Sequence, residues 1–315
     1  MNSNRRSFLK RNVVLGSSLL LAGSIDALGS VTKKINTRSS ALKNLNIRYT
    51  NDLFGQTGTV LKDLGGLKAV AASLKNQEEQ ALFFDAGGFI NPSQSFKQQL
   101  KSIDVMNKLG YHAVNLSRAE LLGGTEQLVK LIPYLNFPLV SANYHFDEPI
   151  LNHAVAPFIT FKHGNFKIGV TGVGADVNLD GLTVSNPHKA LKKVSTLLKE
   201  THHCDFIICL THLGIDGDSE FYNQTLTRQS EQVDLFIGGK QNEQPTGLMV
   251  IKNAINHDTF LSNNHPKGMA LAQVIFSFNE SGEKTGVVLH HEIPSLYKQT
   301  NLAKIKDFYT HNNKA

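Results

Sequence analysis

The sequence has no tryptophan, only two cysteines, and no run in which basic residues alternate with aromatics. Each absence removes a class of protein. Two cysteines cannot build a disulfide framework. If Cys204 and Cys209 both lie on a strand starting near Asp205, their Cα atoms are roughly 16 Å apart, beyond the ~7 Å a disulfide tolerates. Both therefore read as buried free thiols, neither a bridge nor a metal pair. The formal charge of +6 is carried partly by Arg5, Arg6, Lys10 and Arg11. Setting aside residues 1–29 leaves 28 basic and 25 acidic residues, a balance of +3. That is too mild to argue for nucleic acid. No apolar run reaches the ~20 residues a membrane-spanning helix needs. What is present is ordinary for a globular chain: 315 residues, 41% of them hydrophobic, enough for a sizeable core.

The N-terminal segment has its own grammar. Asn4-Arg5-Arg6-Ser7-Phe8-Leu9-Lys10 precedes the short apolar run Val13–Ala22, and small residues follow. A charged start, a short apolar stretch and small residues make a cleavable export signal. The paired arginines with Phe-Leu-Lys behind them resemble a twin-arginine signal. The sequence thus divides into a signal over 1–29, a Ser-, Thr- and Lys-rich linker over 30–44, a domain over 45–298 and a C-terminal helix and tail over 299–315. The expected destination is the periplasm, reached in folded form, with no membrane span in the mature chain.

Within the domain, five short apolar runs end in polar or glycine-rich turns. Ile47–Thr50 runs into Asn51-Asp52, Ala81–Phe84 into Asp85-Ala86-Gly87-Gly88, and Ala113–Leu116 into Ser117-Arg118-Ala119-Glu120. Phe206–Leu210 runs into Thr211-His212-Leu213-Gly214, and Leu235–Ile237 into Gly238-Gly239-Lys240-Gln241-Asn242. In α/β proteins the strand tips along one sheet edge are where ligands bind. Between these runs, helical spacing is expected over Val60–Leu74, on a face of Phe96, Leu100, Ile103 and Met106 closed by Gly110, and over Leu121–Leu135. Pro138–Val140 reads as a short strand. Phe158–Phe161 and Lys167–Thr171 read as a hairpin around His163-Gly164-Asn165. Asn186-Pro187 opens a helix with Asn as cap, and the uniformly apolar Phe206–Leu210 reads as a central strand. A helix is expected within 219–231, strands at 248–251, 268–278 and 286–291, and a closing helix at Leu302–Phe308. Alternation early and hairpins late point to a layered α/β sandwich.

The ordered turns resemble the calcineurin-like metallophosphoesterase family, and within it the catalytic domain of secreted 5′-nucleotidases. Framework stretches carry the resemblance from about Leu45 to Pro294: Asp85-Ala86-Gly87, Gly110-Tyr111, Ser141-Ala142-Asn143, Lys167-Ile168-Gly169-Val170, Thr211-His212-Leu213-Gly214, and Asp234 to Gly239. The resemblance implies a single four-layer αββα domain. It also implies two divalent ions held by Asp, Asn and His side chains at the turns. Two cations about 3.5–4 Å apart clamp a phosphoryl group and activate water.

Against that pattern most ligands are missing. The first turn should read Asp-any-His and reads Asp52-Leu53-Phe54. The second should end in a bridging Asp and ends in Gly88. The third should read Gly-Asn-His-Glu and reads Ser117-Arg118-Ala119-Glu120. The last should read Gly-His-any-His and reads Gly239-Lys240-Gln241-Asn242. Only Asp52 and His212 remain as metal ligands, whereas catalytic sites generally use at least three protein ligands. The expectation is therefore no catalytic residue, and no metal or a weakly bound divalent ion. The replacements Arg118 and Lys240 are expected to stand in for lost positive charge. They would either pair with Asp52, Asp85 or Glu120 or receive a phosphate-like anion. Asp85, Glu120 and Asn143 are expected to brace the site from behind. The pairs His202-His203 and His290-His291 are not expected to bind metal, since adjacent strand residues point to opposite faces.

The function expected is a degenerate relative of the nucleotidases kept for binding or assembly. A separate partner chain would supply the nucleoside-gripping C-terminal domain that two-domain members carry, or nucleotide specificity would be absent. One alternative is an active phosphoesterase with a reduced site drawing on His145, His257 or His265. Another is an anion-binding module without a partner.

Overall fold

The computed structural model describes residues 32–34, 44–75, 81–214, 222–239 and 246–297. The expected export signal, the closing helix at 302–308 and the turn residues Lys240, Gln241 and Asn242 lie outside them. In chain order, Thr32–Lys34 (β1) is a short strand within the stretch read as linker, and Asn44–Thr50 (β2) opens the first sheet. Helices then alternate with strands: Gly66–Leu74 (α1), Leu82–Asp85 (β3), Phe96–Leu109 (α2), Ala113–Asn115 (β4), Arg118–Leu121 (α3), Thr125–Leu131 (α4) and Leu139–Val140 (β5). Tyr144–Phe146 (β6), Pro149–Ala154 (α5) and Val155–Ala156 (β7) close this half. The second half contains Phe158–His163 (β8), Phe166–Gly174 (β9), Leu182–Val184 (β10), Pro187–Thr196 (α6), Phe206–His212 (β11), Asn223–Gln229 (α7) and Leu235–Gly238 (β12). Gly247–Lys252 (β13), Asp258–Asn263 (β14), Leu271–Phe278 (β15) and Lys284–Glu292 (β16) complete it.

Fourteen of these strands form two seven-stranded sheets, ordered β16-β15-β2-β3-β4-β5-β7 and β1-β8-β9-β11-β12-β14-β13, and β6 pairs with β10 in a separate two-stranded sheet. The central pairs β2/β3, β3/β4, β9/β11 and β11/β12 are all parallel, so their C-terminal tips share an edge. Between the sheets lies one apolar layer that includes Ile47, Phe84, Phe161, Phe206, Ile208, Leu235 and Phe276. The outer face of the first sheet is covered by α1, α2 and α4 through Leu67, Val70, Ile103, Met106, Leu128 and Leu131. The outer face of the second is covered by α6 and α7 through Leu191, Val194 and Leu226. The expected αββα sandwich is the observed architecture. No helix among the described residues is long and apolar enough to cross a membrane.

Local departures from the sequence reading have local causes. The first helix begins only at Gly66, because Lys62 and the N-cap Gly65 hold φ of 50° and 70°, outside the helical region. The expected helix over 121–135 breaks after α3, where Gly124 adopts φ 84° ahead of α4, and ends as a 3₁₀ turn at Ile132–Tyr134. On α2 the buried face is Gln99, Ser102, Ile103 and Met106, while Phe96 is 40% exposed. Its stop is as expected: Gly110 takes the left-handed conformation. Strand β14 went unread in the sequence. Cys204 and Cys209 are buried free thiols, as expected, although Cys204 precedes the strand.

Candidate functional site

The two surviving ligand types meet at the strand tips and bond to each other. Asp52 follows β2, and its backbone is locked there in a left-handed conformation at φ 49°. Its N–H donates to the Gly87 carbonyl at 2.8 Å, and its carbonyl accepts from the Lys267 N–H at 2.9 Å. His212 ends β11 on the facing sheet. Asp52 Oδ1 and His212 Nε2 are 2.7 Å apart, with both side chains at least 96% buried. The Asn51 amide donates to the other oxygen, Asp52 Oδ2, at 2.8 Å. His212 Nδ1 is buried without a hydrogen-bond partner.

Glycines make room for this pair. A Cβ on Gly88 would lie 3.0 Å from Asp52 Oδ1 and 3.2 Å from His212 Nε2, the two atoms that bond. A Cβ on Gly239 would lie 2.5 Å from His212 Cδ2, and one on Gly87 would lie 3.2 Å from the same atom. The imidazole therefore lies against three glycines on two turns, Gly87-Gly88 and Gly239. Gly88 is the position where the family resemblance places a bridging carboxylate.

The contacts of the acidic residues Asp85 and Glu120 are with backbone N–H groups and hydroxyls. Asp85 Oδ2 accepts from the Thr50 hydroxyl at 2.6 Å, and Oδ1 accepts from the Gly87 N–H at 2.9 Å. Burial pushes its carboxyl well above the usual carboxylate range, against those two hydrogen bonds. Glu120 is fully buried and forms a capping box on α3. Its Oε2 accepts from the Ser117 N–H at 2.9 Å and from the Ser117 hydroxyl at 2.6 Å. Its Oε1 accepts from the Phe89 N–H at 2.6 Å, which holds the loop after Gly88 in place. Burial raises its pKa, opposed by the Ser117 hydroxyl and by the proximity of His212. Asn143 joins the sheets: its amide donates to the Gly174 carbonyl at 2.8 Å, and its Oδ1 accepts from the Gly174 N–H at 2.9 Å.

Arg118 does not pair with Asp85 or Glu120, whose oxygens are engaged as described. It is an exposed residue opening α3, close enough to Tyr144 to oppose the rise that burial imposes on that phenol. The alternative ligands are dispersed. His145 is exposed on β6, 3.3 Å from Ser185 Oγ, and His257 is exposed before β14. His265 contacts Thr246 Oγ1 at 3.3 Å. His202 packs edge-on against Phe158, and burial holds His291 below the usual imidazole range. Among the described residues no group of three or more His, Cys, Asp or Glu side chains is arranged to hold a metal ion. An apolar groove of about 1040 Å³ between α2, α4 and α5, lined by Phe96, Ile132, Tyr134 and Ile150, includes none of these site residues.

The sequence reading missed one clamp. The side chain of Asn223, buried on α7, accepts from the Thr211 hydroxyl at 2.8 Å and the Leu213 N–H at 3.2 Å, and donates to the Gly239 carbonyl at 3.2 Å. It ties the His212 turn to the Gly239 turn. Nothing distinguishes it in sequence from the other polar residues of its helix.

The donor set does not fit a metal pair. Two ligands bound to one zinc ion at about 2.0–2.1 Å in tetrahedral geometry sit roughly 3.4 Å apart. Asp52 and His212 are closer than that and bond directly. The carboxylate that would bridge two ions is a glycine.

No family model matches the chain. A 5′-nucleotidase of Vibrio cholerae is 26% identical over 261 residues, covering 75% of this chain and 47% of that protein. The chain thus spans less than half the length of that relative. Among solved structures, a 5′-nucleotidase precursor from Thermus thermophilus superposes with a TM-score of 0.69 at 21% identity, covering 80% of this chain and 55% of that one. The calcineurin-like phosphoesterase YfkN from Bacillus subtilis gives a TM-score of 0.62 at 20% identity, covering 86% of this chain and 97% of that one. This chain is similar in sequence to 5′-nucleotidases, and its fold is that of 5′-nucleotidase and calcineurin-like phosphoesterase structures.

Proposed function

We propose that this chain is a non-hydrolytic, metal-independent relative of the 5′-nucleotidases, exported through the twin-arginine route and retained for binding. The observation that carries the reading is the direct Asp52–His212 hydrogen bond, buried at the strand tips over Gly88. It occupies one donor atom of each remaining ligand residue, Asp52 Oδ1 and His212 Nε2. Loss of the bridging carboxylate and of the imidazoles at the last turn removes what dinuclear chemistry requires. The export part rests on Arg5-Arg6 with Phe8-Leu9-Lys10 behind them. For binding, Arg118 is the exposed cation, and a guanidinium suits phosphate or carboxylate contact.

Two assays test this. Purified full-length chain, supplied with Mn²⁺, Co²⁺ or Zn²⁺, is expected to hydrolyse a chromogenic phosphate ester no faster than its His212→Ala variant. Turnover present in the wild type and lost in that variant would contradict the proposal. For the binding part, inorganic phosphate is expected to bind about tenfold more weakly to Arg118→Ala, a difference of about 1.4 kcal/mol. Equal affinity in both forms would remove Arg118 from the binding role.

A further inference from the structure

The misfit between this donor set and a metal pair has a structural counterpart, and the inference drawn from it rests on the metal-independent reading above. We propose that a protein–protein hydrogen bond has taken over the cross-linking of the two sheets at this edge, and that Gly88 and Gly239 are the positioning residues that allow it. Asp52 belongs to the tip of β2 in one sheet and His212 to the end of β11 in the other. Their bond therefore spans the sandwich. The point a Cβ on Gly88 would occupy touches both bonding atoms, at 3.0 and 3.2 Å. At Gly239 the clash is with the imidazole itself, at 2.5 Å. A side chain at Gly239 and the closed pair are mutually exclusive as the tips now stand, and one at Gly88 would press on both bonding atoms so that the pair must give by a few tenths of an ångström. At Gly88, where the resemblance places a carboxylate, the vacated side chain and the closed bond are then one change; Gly239 stands where that pattern also has a glycine.

Thermal unfolding of the full-length chain in chelator tests this through coupling. Gly88→Ala carries a backbone cost, because Gly88 sits at φ 71°. Gly181→Ala is the matched control: Gly181 sits at φ 73° with no atom within 4 Å of a built Cβ. Gly88→Ala is expected to lower Tm by about 3–6 °C more than Gly181→Ala does. In a His212→Ala background that excess should shrink, because Nε2 at 3.2 Å is gone, while Asp52 Oδ1 and Cα remain at 3.0 and 3.1 Å. Gly239 has no positive φ, so Gly239→Ala is a second probe with no backbone strain. The contacts under 3.4 Å of its built Cβ are both His212 ring atoms, at 2.5 and 3.3 Å, so the loss in Gly239→Ala should vanish in a His212→Ala background. This second probe keeps the test decisive if Gly88→Ala does not fold. Additive effects at both glycines, or equal losses for Gly88→Ala and Gly181→Ala, would overturn the inference. Adding Mn²⁺ or Zn²⁺ separates it from the reading it rests on. A metal-dependent rise in wild-type Tm overturns metal independence, whereas additivity without any metal effect overturns only the cross-link.

Discussion

Asp85 is a carboxyl whose hydrogen bonds are all to the surrounding fold. Its carboxyl is fully buried at the tip of β3, bonded to the Thr50 hydroxyl and the Gly87 N–H, with Asp52 and Glu120 close enough to add repulsion. Burial raises its folded pKa above the unfolded value near 3.9. A raised carboxyl binds its proton more tightly in the native state, so its contribution to stability is full below the unfolded pKa. That contribution is lost as pH rises toward the folded value. The stability advantage of wild type over Asp85→Asn is therefore expected to shrink as pH rises from about 4. Urea unfolding of both proteins across that range measures it, and an advantage growing with pH would contradict the burial argument. The thiols give a simpler check. Burial pushes Cys209 far above the usual thiol range and Cys204 up to about 11. Native protein is expected to resist thiol labelling at pH 8 and to react at both cysteines once unfolded; fast labelling of the native form would contradict their burial.

At the level of elements, the tips were legible because apolar runs end abruptly in Asp, Ser, His or Gly at the exit of parallel strands. Caps were legible for the same local reason. The Asn186 side chain accepts from the Lys189 N–H at 3.0 Å, with Pro187 in the first turn of α6. Asn186→Ala is expected to cost about 1 kcal/mol. What the sequence hid was tertiary. β14 carries Thr259, Ser262 and Asn263 fully buried, so its polar residues masked a strand paired in parallel with β12. Asn223 was hidden likewise, since its three partners come from β11 and the turns after β11 and β12. Removing its amide leaves buried donors and an acceptor without partners. Asn223→Ala is thus expected to cost about 2–4 kcal/mol in chemical unfolding, and a loss under 1 kcal/mol would show that the clamp is dispensable.

For the whole molecule, two sheets with helical outer layers bring the same edge of each sheet together, and the sequence resemblance anticipated that arrangement. It did not anticipate that the two survivors bond across the sandwich, because that depends on how closely β2 and β11 approach over Gly88. The scaffold is held there by Asp52 and His212, Glu120 and Ser117, Asn143 and Gly174, none of which needs an ion in this arrangement. On this reading the edge has closed on itself. The sharpest check is the metal content per chain of natively exported protein, purified without chelator and measured by elemental analysis. Well under one equivalent of any transition metal is expected. Two equivalents, lost together in His212→Ala, would contradict the closed edge.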